Sequence, residues 1–189
     1  MWRFELKQAG KVRIIGGKWR GRKISVADVP GLRPTPDRVR ETLFNWLQPT
    51  IVGAKCLDLF AGSGVLGIEA VSRGAVSSTL VEQDKNISKI LRESLKILDT
   101  DEIVIHEADA LQWIKVADQA FDIIFLDPPF GKSMIEQSMS LLVESECVDE
   151  QTLIYVESES VWQPEINVEV IKQAKAGQVN YMLLKTSAD

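Results

Sequence analysis

The 189-residue chain has few of the residues that bind metals or form disulfides. It contains two cysteines, Cys56 and Cys147, and one histidine, His106. The two cysteines lie far apart in apolar stretches, which favours reduced, packed thiols over a disulfide. No group of Cys and His residues has the spacing of zinc ligands. We therefore expect a protein that needs no metal.

Long hydrophobic runs are also missing. No apolar stretch approaches the roughly 20 residues that cross a bilayer, and the first residues mix charges with aromatic side chains instead of forming a signal-peptide core. With 45% hydrophobic and 26% charged residues, the composition is typical of a soluble globular protein. We expect a cytoplasmic monomer that does not bind membranes and has a full hydrophobic core.

Acidic residues are scarce at the start of the chain and abundant after it. Residues 1–40 contain eleven Lys and Arg against three Asp and Glu, although the whole chain has a net charge of −5. A basic segment on an otherwise acidic protein predicts a polyanionic partner such as RNA, and the alternative is a solvated basic terminus. The basic residues in and beside the first glycine-rich turn are Lys18, Arg20, Arg22 and Lys23.

Strand and helix patterns alternate after residue 50. The expected strands are Cys56–Phe60, Thr79–Val81, Ile103–Ile105, Phe121–Leu126, Leu153–Val156, Val168–Ile171 and Val179–Leu184. The expected helices are Val65–Arg73, Ile87–Leu98, Leu111–Val116 and Ile135–Val143. This alternation predicts an α/β fold with a doubly wound, mainly parallel sheet. The last two strands lack a helix between them and should form an antiparallel hairpin.

Two shorter elements precede this α/β region. The runs Arg13–Ile15 and Arg22–Val26 flank the glycine-rich turn and predict a β-hairpin that projects from the acidic domain. We therefore divide the chain into a basic hairpin extension, residues 1–34, and an α/β domain, residues 35–189. Thr35 and Pro36 predict the N-cap and first position of a helix. Its apolar face comprises Val39, Leu43, Trp46 and Leu47.

A glycine-rich turn follows the first strand of the α/β domain. Gly62, Gly64 and Gly67 match the G-x-G-x-x-G fingerprint, and Glu82 ends the next strand, where an acid can bind ribose hydroxyls. Asp58 indicates which of two cofactors, a nicotinamide dinucleotide or S-adenosylmethionine, this turn would bind. A pyrophosphate needs positive dipole at this position, whereas a carboxylate can pair with the ammonium of S-adenosylmethionine. Asp109, which follows the third strand, is a candidate acceptor for an adenine amine.

A Pro-Pro turn ends the strand Phe121–Leu126. Asp127 is followed by Pro128 and Pro129, which cannot donate ladder hydrogen bonds and which restrict the residue before each of them. The Asp127 carboxylate is therefore held rigidly at the strand's carboxyl end, where ligands bind in open α/β sheets. We expect Asp127 and the Pro128 carbonyl to accept hydrogen bonds from an amine, and Phe130 to stack on a base.

Seven motifs carry a resemblance that covers nearly all of the chain. They are Arg13–Gly17, Trp19–Arg22, Leu32–Thr35, Asp37–Asn45, Asp58–Gly67, Leu126–Phe130 and Gly177–Val179. On these residues the chain resembles the bacterial 16S ribosomal RNA guanine-N2 methyltransferases (RsmD family), within the Rossmann-like class I enzymes that use S-adenosylmethionine. The fifth and sixth motifs are shared across amine methyltransferases, and the others are specific to the family.

The resemblance implies methylation of the guanine at position 966 of 16S ribosomal RNA, in the small ribosomal subunit or its assembly intermediate. The implied catalytic residues are Asp127, Pro128, Pro129 and Phe130. Those that would bind S-adenosylmethionine are Asp58, Ala61, Gly62, Ser63, Gly64, Glu82, Asp109 and Ala110. Those that would bind RNA are Arg13, Lys18, Arg20, Arg22, Lys23, Arg33, Arg38 and Arg40. Within the segment from Arg33 to Phe44 the division of roles stays open, with Glu41 and Phe44 as candidates to line the donor pocket.

Two alternatives remain at this stage. The Asp127 motif alone also fits methylation of another amine, such as adenine N6 in DNA or RNA or a protein glutamine. A nucleotide-binding or RNA-binding module without catalysis is the second alternative. Methyl transfer by the purified protein to ribosomal subunits, DNA or protein distinguishes all of these.

Overall fold

The computed structural model of the chain describes residues 8–27, 34–129, 133–164 and 168–186, and for residues 8 and 9 the backbone alone. The strands are β1 (Gln8–Arg13), β2 (Lys23–Ala27), β3 (Lys55–Asp58), β4 (Ser77–Glu82), β5 (Ile103–Glu107), β6 (Ile123–Leu126), β7 (Leu153–Ser158), β8 (Val168–Ala176) and β9 (Val179–Thr186). The helices are α1 (Asp37–Leu47), α2 (Val65–Ser72), α3 (Lys85–Leu98), α4 (Ala110–Ile114) and α5 (Met134–Val143), with a 3-10 helix at Gly17–Trp19.

Seven strands form one sheet in the order β5-β4-β3-β6-β7-β9-β8. The first five strands in this order run parallel to one another. Strand β9 inserts between β7 and β8 and runs antiparallel to both. The predicted α/β class, the mainly parallel sheet and the antiparallel C-terminal hairpin are therefore confirmed. Because the strand order reverses between β3 and β6, a ligand crevice is expected at the carboxyl ends of these strands.

The sheet has a hydrophobic layer on each face. Helices α1, α2 and α3 contribute to one buried cluster, and α4 and α5 to the other. Val39, Leu43 and Leu47 of α1 are fully buried, as the sequence periodicity predicted, and each contributes roughly 1.5–3 kcal/mol of burial free energy. None of the helices in the described part of the chain is long and apolar enough to cross a membrane.

Helix α1 begins one residue later than the sequence predicted. Its N-cap is Pro36, which offers no side-chain cap, and its first helical residue is Asp37. The prediction that Thr35 is the N-cap was wrong. Thr35 is instead buried near carboxyl groups of the neighbouring strands, described below, so tertiary packing outweighs the local capping preference.

The N-terminal hairpin packs against the α/β domain and does not project from it. Ile14, Trp19 and Ile24 are buried in the same cluster as α1, α2 and α3. The Trp19 amide donates to the Ser72 hydroxyl (3.0 Å), and this hydroxyl donates to the Gly16 carbonyl (2.6 Å). The predicted projection was wrong because the apolar side chains between the basic residues need a hydrophobic partner, and α2 and α3 supply it.

Two glycines of this turn provide a test of its docking. Gly17 (φ +74°) and Gly21 (φ +84°) both have left-handed backbone, but a Cβ on Gly17 would lie 1.7 Å from the Ser72 carbonyl oxygen, whereas one on Gly21 meets no atom within 4 Å. We expect Gly21→Ala to lower the free energy of unfolding by about 1–2 kcal/mol through backbone strain. Gly17→Ala should cost roughly 1–3 kcal/mol more. Urea unfolding of both variants measures the difference, and equal losses would contradict the docked position of the turn.

Candidate active site

Acidic side chains line the carboxyl edge of the parallel strands. Each of five adjacent strands ends in an acid or is followed closely by one. In spatial order across the sheet these residues are Asp109, Glu82, Asp58, Asp127 and Glu157. The edge includes the point where the strand order reverses, so these acids surround the expected ligand crevice.

The glycine-rich turn after β3 brings the chain back over this edge. Gly62 and Gly64 have φ values of +50° and +70°, which favour glycine. A Cβ on Gly67 would lie 2.3 Å from Leu80 Cδ2, so glycine at this position allows α2 to pack closely on β4. Ala61 and Ser63 are buried in the same turn. The cofactor-binding predictions for residues 61–64 thus fall on one tight loop above the acids.

Asp58 is buried at the N-terminal end of α2. Its Oδ2 accepts a hydrogen bond from the Gly67 amide (3.2 Å), and no cation pairs with it in the described part of the chain. Burial raises the pKa of Asp58 to about 7; the Gly67 amide opposes the rise, and the nearby Glu82 and Glu157 carboxylates add to it. Because Asp58 already uses an amide of the helix N-terminus, this end of α2 is poorly suited to a pyrophosphate and well suited to a cation.

Glu82 and Asp109 accept backbone hydrogen bonds. The Glu82 carboxylate accepts from the Gly62 amide (2.9 Å) and the Asp84 amide (2.8 Å), which join β4 to the glycine-rich turn. Burial raises the pKa of Glu82, and the amide donors oppose the rise. Asp109 caps α4 by accepting from the Gln112 amide (2.9 Å), and the buried Ala110 follows it as the first residue of that helix. Both carboxylates keep lone pairs for a ligand.

Asp127 lies next to Asp58 at the strand-order reversal. Pro128 is buried and Pro129 is exposed, while Phe130 lies outside the described residues. Burial is the largest cause that raises the pKa of Asp127 well above its usual range, and the Glu157 and Asp58 carboxylates add to it. The nearby Thr35 lowers this pKa. Asp127 is therefore a partly buried carboxyl that faces like charges.

Sequence reasoning missed two site residues, Glu157 and Thr35. Glu157 is only 4% exposed, and it accepts a hydrogen bond from the Tyr155 hydroxyl (2.9 Å). Thr35 is buried near Asp127 and Glu157 and lowers the pKa of each carboxyl. The signal for Glu157 was present, because it follows the apolar run of β7 just as Asp127 follows that of β6. Nothing in the local sequence indicated the role of Thr35.

The predicted RNA-binding residues separate into exposed and buried sets. Arg40 was predicted to contact RNA, but it is 0% exposed and its guanidinium donates to Glu69 Oε2 (3.0 Å) and to the Arg13 carbonyl (3.0 Å). This prediction was wrong, because a fully paired, buried guanidinium cannot reach a phosphate. Arg33 lies outside the described residues. The exposed ones are Arg13, Lys18, Arg20, Arg22, Lys23 and Arg38.

The exposed basic turn is not at the acidic edge. It contacts Ser72 at the end of α2 remote from the glycine-rich turn, and Lys18 forms an ion pair with Glu102, which precedes β5. Lys18 Nζ also lies 4.6 Å from the centre of the Trp19 ring. The turn and the acids therefore lie towards opposite ends of the eight-residue helix α2, which is about 12 Å long.

The two candidates for the donor pocket in α1 have different surroundings. Glu41 is exposed. Phe44 is buried in the core, with its ring centre 6.1 Å from that of Phe125 and 4.9 Å from the Arg73 guanidinium. A role of either residue in donor binding stays a prediction.

Comparisons with known proteins agree with this geometry. The family described as Conserved hypothetical protein 95 matches residues 12–185. Ribosomal RNA small subunit methyltransferase D of Escherichia coli is 45% identical over 183 residues, which are 95% of this chain and 92% of the relative. The Haemophilus influenzae protein of the same name is 45% identical over 92% of this chain and 93% of the relative. A solved methyltransferase structure from Escherichia coli has a TM-score of 0.85 at 45% identity, covering 95% of this chain and all of that one.

The sheet order, the glycine-rich turn and the acids at the strand ends define a Rossmann-like class I methyltransferase fold. The matched family model and the 45% identity to two curated relatives show which methyltransferase family the chain belongs to. The chain belongs to the small subunit methyltransferase D (RsmD) family and is a methyltransferase.

The raised pKa of Asp58 predicts a pH-dependent stability. Its folded-state pKa of about 7 lies above the ordinary value of 3.8, so ionisation disfavours the folded state as pH rises from about 4 to about 7. We expect Asp58→Asn, which removes this charge, to gain stability relative to the parent protein over that range, by on the order of 2 kcal/mol. Urea unfolding at pH 4 and pH 8 measures the change. The exposed Asp118→Asn is the control, and an equal pH dependence of both variants would contradict the assignment.

Proposed function

We propose that this protein transfers a methyl group from S-adenosylmethionine to the exocyclic N2 amine of the guanine at position 966 of 16S ribosomal RNA. The observation that carries the proposal is the pair of adjacent strand-end carboxyls at the strand-order reversal. Asp58 lies against the glycine-rich turn, and Asp127 lies against the Pro-Pro turn. One carboxyl suits a cationic donor and the other suits an amine acceptor.

The residues around the glycine-rich turn fit the donor. Asp58 would pair with its ammonium group, Glu82 with its ribose hydroxyls and Asp109 with its adenine amine. The buried Asp58 has a partner amide but no cation in the described residues, so an ammonium would supply the charge that its surroundings lack. When bound, the donor supplies the methyl group and keeps the electron pair of the broken sulfur–carbon bond.

Asp127 would position and deprotonate the acceptor. The guanine N2 lone pair is delocalised into the ring, and hydrogen bonds from its two N–H groups to Asp127 and to the Pro128 carbonyl would hold the amine in the orientation needed for attack. Phe130 would stack on the base, which must be unpaired or extruded to enter the crevice. The rigidity of the Pro-Pro turn supports a positioning role.

The relatives support ribosomal RNA as the acceptor. Two curated relatives at 45% identity are named ribosomal RNA small subunit methyltransferase D. The separation of the basic turn from the acids also favours a large substrate, because an RNA that contacts both must extend from one end of α2 towards the other. We propose that RNA in the small subunit, or in its assembly intermediate, lies across this face with phosphates near Lys18, Arg20, Arg22 and Lys23.

The acceptor role of Asp127 is tested by its removal. Asp127→Ala should lower the single-turnover rate of methyl transfer to 16S ribosomal RNA about 100-fold or more, because positioning and proton acceptance are both lost. Its affinity for S-adenosylmethionine, measured by calorimetry, should stay close to that of the parent protein. Tritiated donor offered with small subunits, naked ribosomal RNA, DNA and protein identifies the acceptor, and label in DNA or protein alone would refute the proposal. Primer extension on ribosomal RNA from a strain lacking the gene then locates the methylated base.

The basic turn is tested by the salt dependence of RNA binding. Each phosphate contact contributes about 0.7–0.9 to the log-log slope of affinity against salt. Replacement of Lys18, Arg20, Arg22 and Lys23 by alanine should therefore flatten the slope and reduce RNA methylation, with donor affinity retained because the turn is remote from the acids.

A matched control removes the same charge elsewhere. Four exposed lysines distant from the turn in sequence are Lys55, Lys115, Lys172 and Lys175. Their replacement by alanine should change the slope far less. If both quadruple variants lose the same slope, the binding is non-specific electrostatics, and the RNA surface must be sought around Arg38.

A further inference from the structure

Helix α3 carries a stripe of basic side chains on its solvent-exposed face. The residues follow one another at intervals of four, three and four, so they lie on one side of the helix. They are Lys85, Lys89, Arg92 and Lys96, and all four are exposed. The apolar face of the helix lies opposite, buried against β2, β4 and β5. We call these four residues the α3 stripe.

The stripe concentrates positive charge in an otherwise acidic region. Residues 41–189 contain eleven Lys and Arg against 24 Asp and Glu. Four of these eleven lie within the fourteen residues of α3, which contains a single acid, Glu93. Helices α2, α4 and α5 contain neither Lys nor Arg. The basic residues are therefore not spread evenly over the solvated faces of the helices.

These charges do not stabilise the helix that carries them. Neighbours in the stripe are like charges three or four residues apart, which repel one another on a helix surface. Lys85 is the first helical residue, where the helix dipole disfavours a cation. Within the described residues, Arg92 is the only one of the four in an ion pair, with the partly exposed Glu107 (3.5 Å). The stripe thus leaves positive charge uncompensated at the surface, which suits a polyanionic partner.

Helix α3 runs from the acidic edge of the sheet towards the basic turn. Its N-cap, Asp84, follows β4, and the Asp84 amide donates to Glu82 at that edge (2.8 Å). Near the other end, the Ile97 carbonyl accepts a hydrogen bond from the Arg22 guanidinium of the basic turn (3.4 Å). The first and last residues of the stripe are eleven positions apart, about 17 Å along the helix axis. The stripe therefore covers the surface between two sites that the proposed function assigns to the RNA.

We propose that the α3 stripe binds the phosphate backbone of the RNA substrate and directs it from the basic turn to the acidic edge. The inference rests on the proposed methylation of RNA and adds a contact surface to it. Contacts to phosphate fix the register and path of a nucleic acid without reading its bases. The acids around the crevice repel phosphate, so cations beside the crevice are needed to hold the backbone while one base enters.

The test is the salt dependence of 16S ribosomal RNA binding by a variant with Lys85→Ala, Lys89→Ala and Lys96→Ala. Alanine favours the helix, so α3 should still form, and Arg92 is kept because it pairs with Glu107. The loss of three phosphate contacts should lower the log-log slope of affinity against salt by about 2–3. Affinity for S-adenosylmethionine, measured by calorimetry, should be unchanged because the replaced side chains face solvent.

A matched control removes three exposed lysines from other parts of the surface. These are Lys115, Lys172 and Lys175, the last two on β8, at the opposite edge of the sheet from β5. The control should change the slope by less than one phosphate contact, about 0.7. Glu93→Lys, which replaces the one acid of α3 by a cation, should instead raise the slope by about 0.7–0.9.

Protection of lysines from acetylation measures the contact directly in the parent protein. Added 16S ribosomal RNA should reduce the acetylation of the three stripe lysines several-fold, measured by mass spectrometry, and leave Lys172 and Lys175 unprotected. Equal slopes of parent and stripe variant, equal slope losses in stripe and control variants, or unprotected stripe lysines would overturn the inference and show a solvated helix face. Failure of the parent protein to bind or methylate ribosomal RNA would instead refute the proposed function.

Discussion

The buried ion pair between Arg40 and Glu69 joins the three parts on which the site depends. Both side chains are fully buried. Glu69 accepts from Arg40, from Arg73 and from the Ile15 amide, so it ties α1, α2 and the N-terminal hairpin together. Removal of one partner from such a pair costs about 3–5 kcal/mol, because the other charge stays buried. The pair thereby fixes α2, and with it the glycine-rich turn, relative to the sheet.

The same guanidinium also reaches the acidic edge. Arg40 donates to the Thr35 carbonyl (3.1 Å), and Thr35 lies near Asp127 and Glu157, whose pKa values it lowers. The hairpin is docked to α2 through Ser72 at the opposite edge. Hydrogen bonds and ion pairs of Arg40, Glu69 and Ser72 therefore connect α1, α2 and the hairpin.

Buried carboxyls repel one another at the acidic edge, where methyl transfer is expected to take place. Burial raises the pKa values of Asp58, Asp127 and Glu157, neighbouring carboxylates raise those of Asp58 and Asp127 further, and the described residues place no cation directly against them. Such a cluster disfavours folding at neutral pH, and perturbed carboxyls of this kind concentrate at functional sites. A cationic donor would relieve the repulsion, so ligand binding and charge balance at this edge are coupled.

Local patterns in the sequence determined the element order, the mainly parallel sheet and the C-terminal hairpin, because each depends on short-range periodicity. They also determined which acids lie at strand ends, because the sequence shows where each strand stops. These acids are Asp58, Glu82, Asp109 and Asp127. The roles of Arg40 and Thr35 were decided by tertiary structure alone. Arg40 looks like a surface arginine until Glu69, 29 residues away, buries and pairs it. Thr35 has the sequence of an N-cap, yet it is buried near carboxyls that lie more than 90 residues along the chain. Contacts between distant segments outweigh local preference because a buried charge or hydroxyl without a polar partner costs free energy. The partner can come from any segment that the fold brings close.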